Sequence, residues 1–159
     1  MNQQFDTGIS PEDCKQKFRI PLYQRPYAWT TEQVMQLLLD LKAAYEKTKP
    51  DYYIGILSVA PTATDRSRYD LIDGQQRITT LMLIAKVLKE HYGKWEEFIK
   101  DRLDVYGREE DRAFLYDLSP EAALKCNAKL REAVDVISRF INSDSDRRAF
   151  AECVYNHTP

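Results

Sequence analysis

Three short stretches ahead of Asp73 carry strand-like patterns of apolar and polar residues. Over residues 17–23, Phe18, Ile20 and Leu22 fall on one face and Lys17, Arg19 and Tyr23 on the other, which predicts a half-buried strand; Pro21 places it at an edge or a strand end. Residues 52–60 are rich in β-branched and aromatic side chains, with Gly55 among them, and predict a second strand. After a polar connection, residues 68–72 predict its hairpin partner. Residues 10 and 11, Ser-Pro, suit the start of a short helical turn.

Helical spacing governs the rest. Thr30 with Gln33 three residues on is a capping box, and Val34, Leu37, Leu38, Leu41, Ala44 and Tyr45 follow on one face, up to a stop at Lys49-Pro50-Asp51. Residues 78–92 are apolar nearly all round, so this helix is expected to be central and buried, with Gly93 as its C′ residue. No strand pattern is evident after Gly93. Trp95, Phe98, Ile99 and Leu103 form one helical stripe, and Phe114 and Leu115 belong to a short helix from Glu109. Ser119-Pro120-Glu121 opens a further helix. Leu130, Val134, Ile137 and Ile141 mark a long one ending near Ser143, and residues 145–155 a last one. The expected fold is α+β: a small mixed β-sheet, a central buried helix and a helical C-terminal half, with residues 1–93 as the core and 94–159 as a helical extension of the same domain.

Composition narrows the function classes. The 159 residues suffice for one domain with a real core. A net charge of -2 supplies no overall basic field for nucleic acid, although a local patch remains open. Three cysteines with no CxxC pair suit reduced thiols in a cytoplasmic protein better than a disulfide framework or a zinc site. The two histidines, His91 and His157, are far apart in sequence, and no apolar run is long enough to span a membrane.

The stretch that carries chemistry is Leu71-Ile72-Asp73-Gly74-Gln75-Gln76-Arg77-Ile78-Thr79-Thr80. It reads as strand end, polar turn and helix start, where unpaired backbone N–H groups and the positive end of the helix dipole hold anions. Gly74 allows close approach or a positive φ, and Arg77 offers a fork for phosphate oxygens. With only 5 glycines in the chain, a glycine here and another in the strand at residue 55 carry weight.

Three segments in order, Phe18-Arg19-Ile20-Pro21-Leu22-Tyr23-Gln24-Arg25-Pro26-Tyr27-Ala28-Trp29, Tyr53-Ile54-Gly55-Ile56-Leu57 and Asp73-Gly74-Gln75-Gln76-Arg77-Ile78-Thr79-Thr80-Leu81, resemble successive motifs of the N-terminal domain of the GmrSD-type restriction enzymes and their bacterial phage-defence relatives. That family is similar to the ParB and sulfiredoxin fold, in which a Gly-x-x-Arg turn at a helix start holds nucleotide phosphates. The resemblance implies a nucleoside triphosphate-binding and hydrolysing domain, residues 1–93 being its ParB-like nucleotide-binding core. The implied cofactor is a divalent metal, Mg²⁺. The implied partner is a C-terminal nuclease domain or subunit, with DNA engaged through the full-length system and no membrane. Family members are longer, so the chain reads as a truncated form, and it has no HNH-like cluster of its own.

The implied catalytic residues are Asp73, Gln75, Gln76 and Arg77, and the implied nucleotide-binding residues are Tyr23, Gln24, Arg25, Gly55, Gly74, Arg77 and Thr79. Asp73 holds Mg²⁺ or orients a water in one reading and merely forms the turn in the other. Arg25 contacts a polyphosphate or stacks on Tyr27 or Trp29 as a structural cation. Tyr23 stacks on a base or fills the core edge. Gln75 and Gln76 position water or sit solvated at the helix start. Two other classes stay open beside the hydrolase: a DNA-binding or nicking ParB-like module, and a regulatory nucleotide-binding module without turnover.

Overall fold

A computed structural model of the chain describes residues 16–46, 57–62, 67–116, 120–143 and 147–157. Strand β1 (Phe18–Ile20) occupies the middle of a four-stranded sheet. Strand β3 (Tyr69–Asp73) runs parallel to it on one side and β4 (Leu103–Val105) parallel on the other, while β2 (Ser58–Pro61) pairs antiparallel with the outer side of β3. The mixed sheet and the hairpin relation of β2 and β3 are as the pattern predicts. The expected strand at 52–60 is described only from residue 57 onward, and Gly55, Cys14 and the Ser10-Pro11 turn lie outside the described residues.

Two side-chain systems lock the sheet. On one face Phe18 and Ile20 enter the core. On the other, Arg19 stands opposite Asp70 in the β1–β3 register and forks onto it, Nε to Oδ1 at 2.8 Å and Nη2 to Oδ2 at 3.0 Å. Asp70 also accepts the Thr62 hydroxyl at 2.8 Å, and the Arg19 guanidinium lies 5.2 Å from the Tyr106 ring centre. This polar ladder runs from the end of β2 across β3 and β1 to the end of β4. The two-point contact with Asp70 is also what raises the Arg19 pKa above its ordinary value.

β1 is shorter than predicted. Pro21 has no N–H to extend the ladder, and the chain turns there, with the Gln24 N–H donating to the Pro21 carbonyl at 3.1 Å. Leu22 consequently stands 57% exposed instead of continuing the buried face.

Helix α1 (Thr31–Tyr45) starts on the predicted capping box, with Thr30 and Gln33 bonded reciprocally. Helix α2 (Gln75–Leu88) is the central one: eleven of its fourteen residues are buried, so almost every side of it needs an apolar residue. It packs against α3 (Trp95–Ile99) and α6 (Ala128–Asn142), and α6 also packs on α1. Helices α4 (Glu109–Tyr116), α5 (Pro120–Lys125) and α7 (Arg147–His157) complete the helical half. Asn127 divides α5 from α6 by capping the latter, its side chain accepting the Lys129 N–H at 3.0 Å. Trp95 donates its indole N–H to the Ala151 carbonyl at 2.9 Å and packs edge-on against Phe98 and Tyr155, which ties α7 to α3.

Two expectations are overturned. The region after Gly93 is not helical throughout: α3 ends at Ile99, Asp101 takes a positive φ of 53°, and Leu103 enters β4 rather than extending the helical stripe. Three residues are too short for alternation to declare a strand. Nor is Gly93 the C′ residue of α2, which closes at Leu88; among the described glycines the positive φ values belong to Gly74 and Gly107. None of the described helices is long and apolar enough to cross a membrane. Cys126 is buried, and burial pushes its thiol pKa up, in keeping with an unreactive reduced thiol.

The ladder gives the first prediction. Asp70→Ala leaves the Arg19 guanidinium and the Thr62 hydroxyl without their acceptor on a half-buried face. Urea unfolding should register a loss of about 2 kcal/mol at unchanged m-value. A loss below about 0.5 kcal/mol would reduce the ladder to ordinary surface pairing.

Candidate functional site

The three parallel strands point their carboxyl ends the same way, and each delivers its following segment to one place. After β1 come residues 21–29, after β3 the Gly74 turn and the start of α2, and after β4 the turn at residues 106–108 and α4. Between them lies a pocket lined by Arg25 and Tyr27 from the first segment, Gln75, Gln76 and Thr79 from the second, and Arg108 and Asp111 from the third. Ile20, Val105, Leu115 and Leu130 form its apolar floor. A crevice outside the carboxyl ends of parallel strands is where open α/β sheets collect ligands, because helix starts and loops converge there. The cavity is small, ≈ 20 Å³, room for about one water, so a larger ligand has to occupy the mouth or displace the loop.

The turn itself is built as its residues require. Gly74 adopts φ 94° and ψ 8°, a left-handed conformation in which an L side chain is strained. Asp73, exposed at the end of β3, folds its Oδ1 back to accept the Gly74 N–H at 2.8 Å. No side chain caps α2. The first intrahelical bond runs from the Ile78 N–H to the Gly74 carbonyl, and the N–H groups of Gln75 and Gln76 have no partner among the described residues.

The loop 23–29 is held over this helix start by five side-chain ties. Gln76 is buried, accepting the Ala28 N–H at 2.8 Å and donating to the Pro26 carbonyl at 3.3 Å. Gln24 donates to the Leu71 and Ile72 carbonyls, both at 3.3 Å, and accepts from the Gln75 amide at 3.2 Å. Asn127 donates to the Tyr27 carbonyl at 2.8 Å, and Arg108 donates to the Gln24 carbonyl. The Tyr27 hydroxyl is paired with Thr80 at 2.8 Å inside the core, and Thr80 in turn donates to the Gln76 carbonyl.

The residues expected to act together are therefore only partly gathered. Arg25, Gln75, Gln76 and Thr79 share the pocket, Gln24 braces its edge, and Gly74 forms the turn beside it. Arg25 is exposed and has no hydrogen-bond, ion-pair or ring partner among the described residues, so it does not stack on Tyr27 or Trp29. Gln76 is neither solvated nor free to hold a water, since both ends of its amide grip the loop. Thr79 donates its hydroxyl to the Gln75 carbonyl at 2.7 Å. Tyr23 stands 76% exposed in the turn after β1. Arg77 is half-buried and is not among the lining residues; at about 100° per residue it lies roughly 160° around α2 from both Gln75 and Thr79. Gly55 lies outside the described residues. Asp73 has no second and third metal-ligating side chain beside it among the described residues.

Sequence reasoning missed Arg108, Asp111 and Asn127. A signal for Arg108 was present: Leu103-Asp104-Val105-Tyr106-Gly107-Arg108 ahead of a helix repeats the strand, glycine turn and arginine plan of the Asp73 stretch. Asp111 accepts the Asn127 N–H at 2.7 Å, and nothing in its local sequence announces that contact.

A small mixed sheet with a helix-backed polar cleft along its carboxyl edge defines the chain as an α+β domain. The model of the GmrSD restriction endonuclease N-terminal domain matches residues 11–154, and the chain belongs to that family, hence to a restriction system. The match runs through the helical half as well as the three motifs. No curated protein and no solved structure matches the chain.

Burial of Tyr27 pushes its hydroxyl pKa up to about 12, only partly offset by the Thr80 hydrogen bond. A phenol whose folded pKa is raised contributes stability fully below its unfolded value near 10 and loses it as pH climbs through about 12. Thermal melts between those limits should show a loss that Tyr27→Phe removes, on the order of 2 kcal/mol at the upper end. Identical pH profiles for Tyr27→Phe and the parent would refute the buried assignment.

Proposed function

We propose that this chain is the nucleoside triphosphate-binding domain of its restriction system, holding phosphates at the mouth of the pocket between Arg25 and the first turn of α2. The observation that carries this reading is the meeting of an unpartnered guanidinium with a helix start whose leading N–H groups are unspent. The left-handed Gly74 keeps a side chain out of the approach. Family membership supports the same reading through the resemblance of its motifs to a phosphate-holding turn.

For hydrolysis, Gln75 is the better placed of the two amides. Its Nε2 is spent on Gln24, which leaves its carbonyl oxygen to accept from an attacking water. Gln76 serves by fixing the loop that carries Arg25. Asp73, whose Oδ1 accepts the Gly74 N–H, would offer Mg²⁺ one carboxylate oxygen, and such an ion would take its other ligands from phosphates and water. The metal would neutralise charge on the phosphates. Arg77, on the other side of α2, contributes its charge at the helix start rather than a fork from within the pocket. Cutting of DNA belongs to a nuclease domain or subunit acting with this one.

Binding without turnover is the second reading. It is favoured by the commitment of Asp111, the one lining carboxylate among the described residues, to the Asn127 N–H.

Equilibrium titration with mixed triphosphates and Mg²⁺, followed by phosphate release, separates these readings. Arg25→Ala should weaken binding about tenfold or more while leaving the melting temperature unchanged, because the contact removed is worth on the order of 1.5–3 kcal/mol only when ligand is present. Chelating the metal should abolish release. Parent-like affinity in Arg25→Ala would sink the phosphate site. Tight binding with no release would leave the regulatory reading. Duplex DNA binding that weakens steeply with salt would favour the ParB-like module instead.

A further inference from the structure

Arg108 follows Gly107, whose φ of +77° turns the chain from β4 into α4. A Cβ at Gly107 would come 2.7 Å from the Leu22 Cδ1, so the glycine lets the turn after β4 press against the turn after β1. In that position the half-buried Arg108 donates Nη2 to the Gln24 carbonyl and, at 3.4 Å, to the Leu22 carbonyl. Its Nε and Nη1 have no partner among the described residues, although the side chain lines the pocket.

Arg25 lines the same pocket and is likewise unpartnered among the described residues. Asp111, the only lining carboxylate among the described residues, is three residues from Arg108, yet no ion pair joins it to either arginine, and its Oδ1 is taken by the Asn127 N–H. Two guanidinium charges and the positive end of α2 thus converge on one small cavity in which the single carboxylate among the described residues, Asp111, is ion-paired to neither arginine. Like charges gathered in this way repel, and a ligand oxyanion relieves the repulsion while using donors already in place.

We propose that Arg108 is the second cation of the anion site, clamping an oligophosphate against Arg25 while its Nη2 holds the Gln24 carbonyl next to that residue. The assignment rests on the phosphate-site reading above and adds to it a binding residue from the C-terminal half. The ligand class is a di- or triphosphate, since two guanidinium groups brought by different segments can each take a phosphate of one ligand.

The test uses the full chain with Arg108→Ala, Arg108→Lys and Arg25→Ala, titrated with inorganic pyrophosphate, which has no base, and with a nucleoside triphosphate. Titrations run at about 50 and 300 mM salt, where exposed charges are screened differently. Arg108→Ala should bind pyrophosphate about tenfold or more weakly, with a shallower dependence on salt. Arg108→Lys, still cationic and able to reach the Gln24 carbonyl, should recover part of the loss. The gain in melting temperature on adding pyrophosphate is the readout that a purely structural tie would leave alone. If Arg108→Ala does not fold, Arg108→Lys should still show a reduced gain. Parent-like affinity and gain in the Arg108 variants, beside a defective Arg25→Ala, would overturn the clamp and leave the phosphate site standing. Parent-like binding in all three variants would overturn both.

Discussion

The buried amide of Gln76 is the contact on which the cleft depends. A helix start and an irregular loop both leave backbone groups without partners, and a loop over the core cannot give all of its own to water. By accepting from Ala28 and donating to Pro26, one side chain satisfies a donor and an acceptor of the loop at once. Replacing it by an apolar residue would strand both backbone groups, each at a cost of about 1–3 kcal/mol where it is buried. The loop would then rest over α2 on its remaining ties through Gln24 and Tyr27, and Arg25 would lose the anchor at the neighbouring Pro26. The Gln24 and Asn127 contacts repeat the same device on either side.

Much of this architecture was legible in the residues. The capping box at Thr30, the all-round apolar character of α2 and the β2–β3 hairpin follow from local pattern, because each is decided within a few residues of sequence. The glycine turn at residue 74 was legible for the same reason. What escaped was decided at long range. β4 has three residues and exists because β1 offers an unpaired edge, and no local periodicity encodes that. The run from Phe18 to Leu22 misled in the opposite direction: its alternation is regular, but Pro21 ends the ladder and exposes Leu22.

The same division explains the site. Gln75 and Thr79 stand in the turn that announces itself, and Arg25 in the loop that the family resemblance singled out; all three line the pocket. Arg108 and Asp111 were missed, since their membership depends on β4 carrying them to the same edge. The expectation of a wholly helical extension after residue 93 followed from missing that strand. Arg77 stood out in the sequence as the cation of the turn, yet helical rotation sets it away from Gln75 and Thr79. Position within a motif and direction around a helix are separate facts, and only the second decides what shares a cavity.

The placing of β1 between β3 and β4 also has a consequence for how the chain acquires its structure. The central strand is synthesised first among the described strands, and its two neighbours come from around residues 69 and 103. Closing such separations costs loop entropy before any ladder bond is gained, and contacts between distant residues slow folding. Helices α1 and α2 have their hydrogen bonds within themselves and can form early. The sheet has to wait until more than a hundred residues have left the ribosome, and with it the pocket that all three parallel strands feed. A nascent chain stopped short of β4 would carry the recognisable motifs with one side of its central strand bare, an open edge of the kind that pairs with other chains.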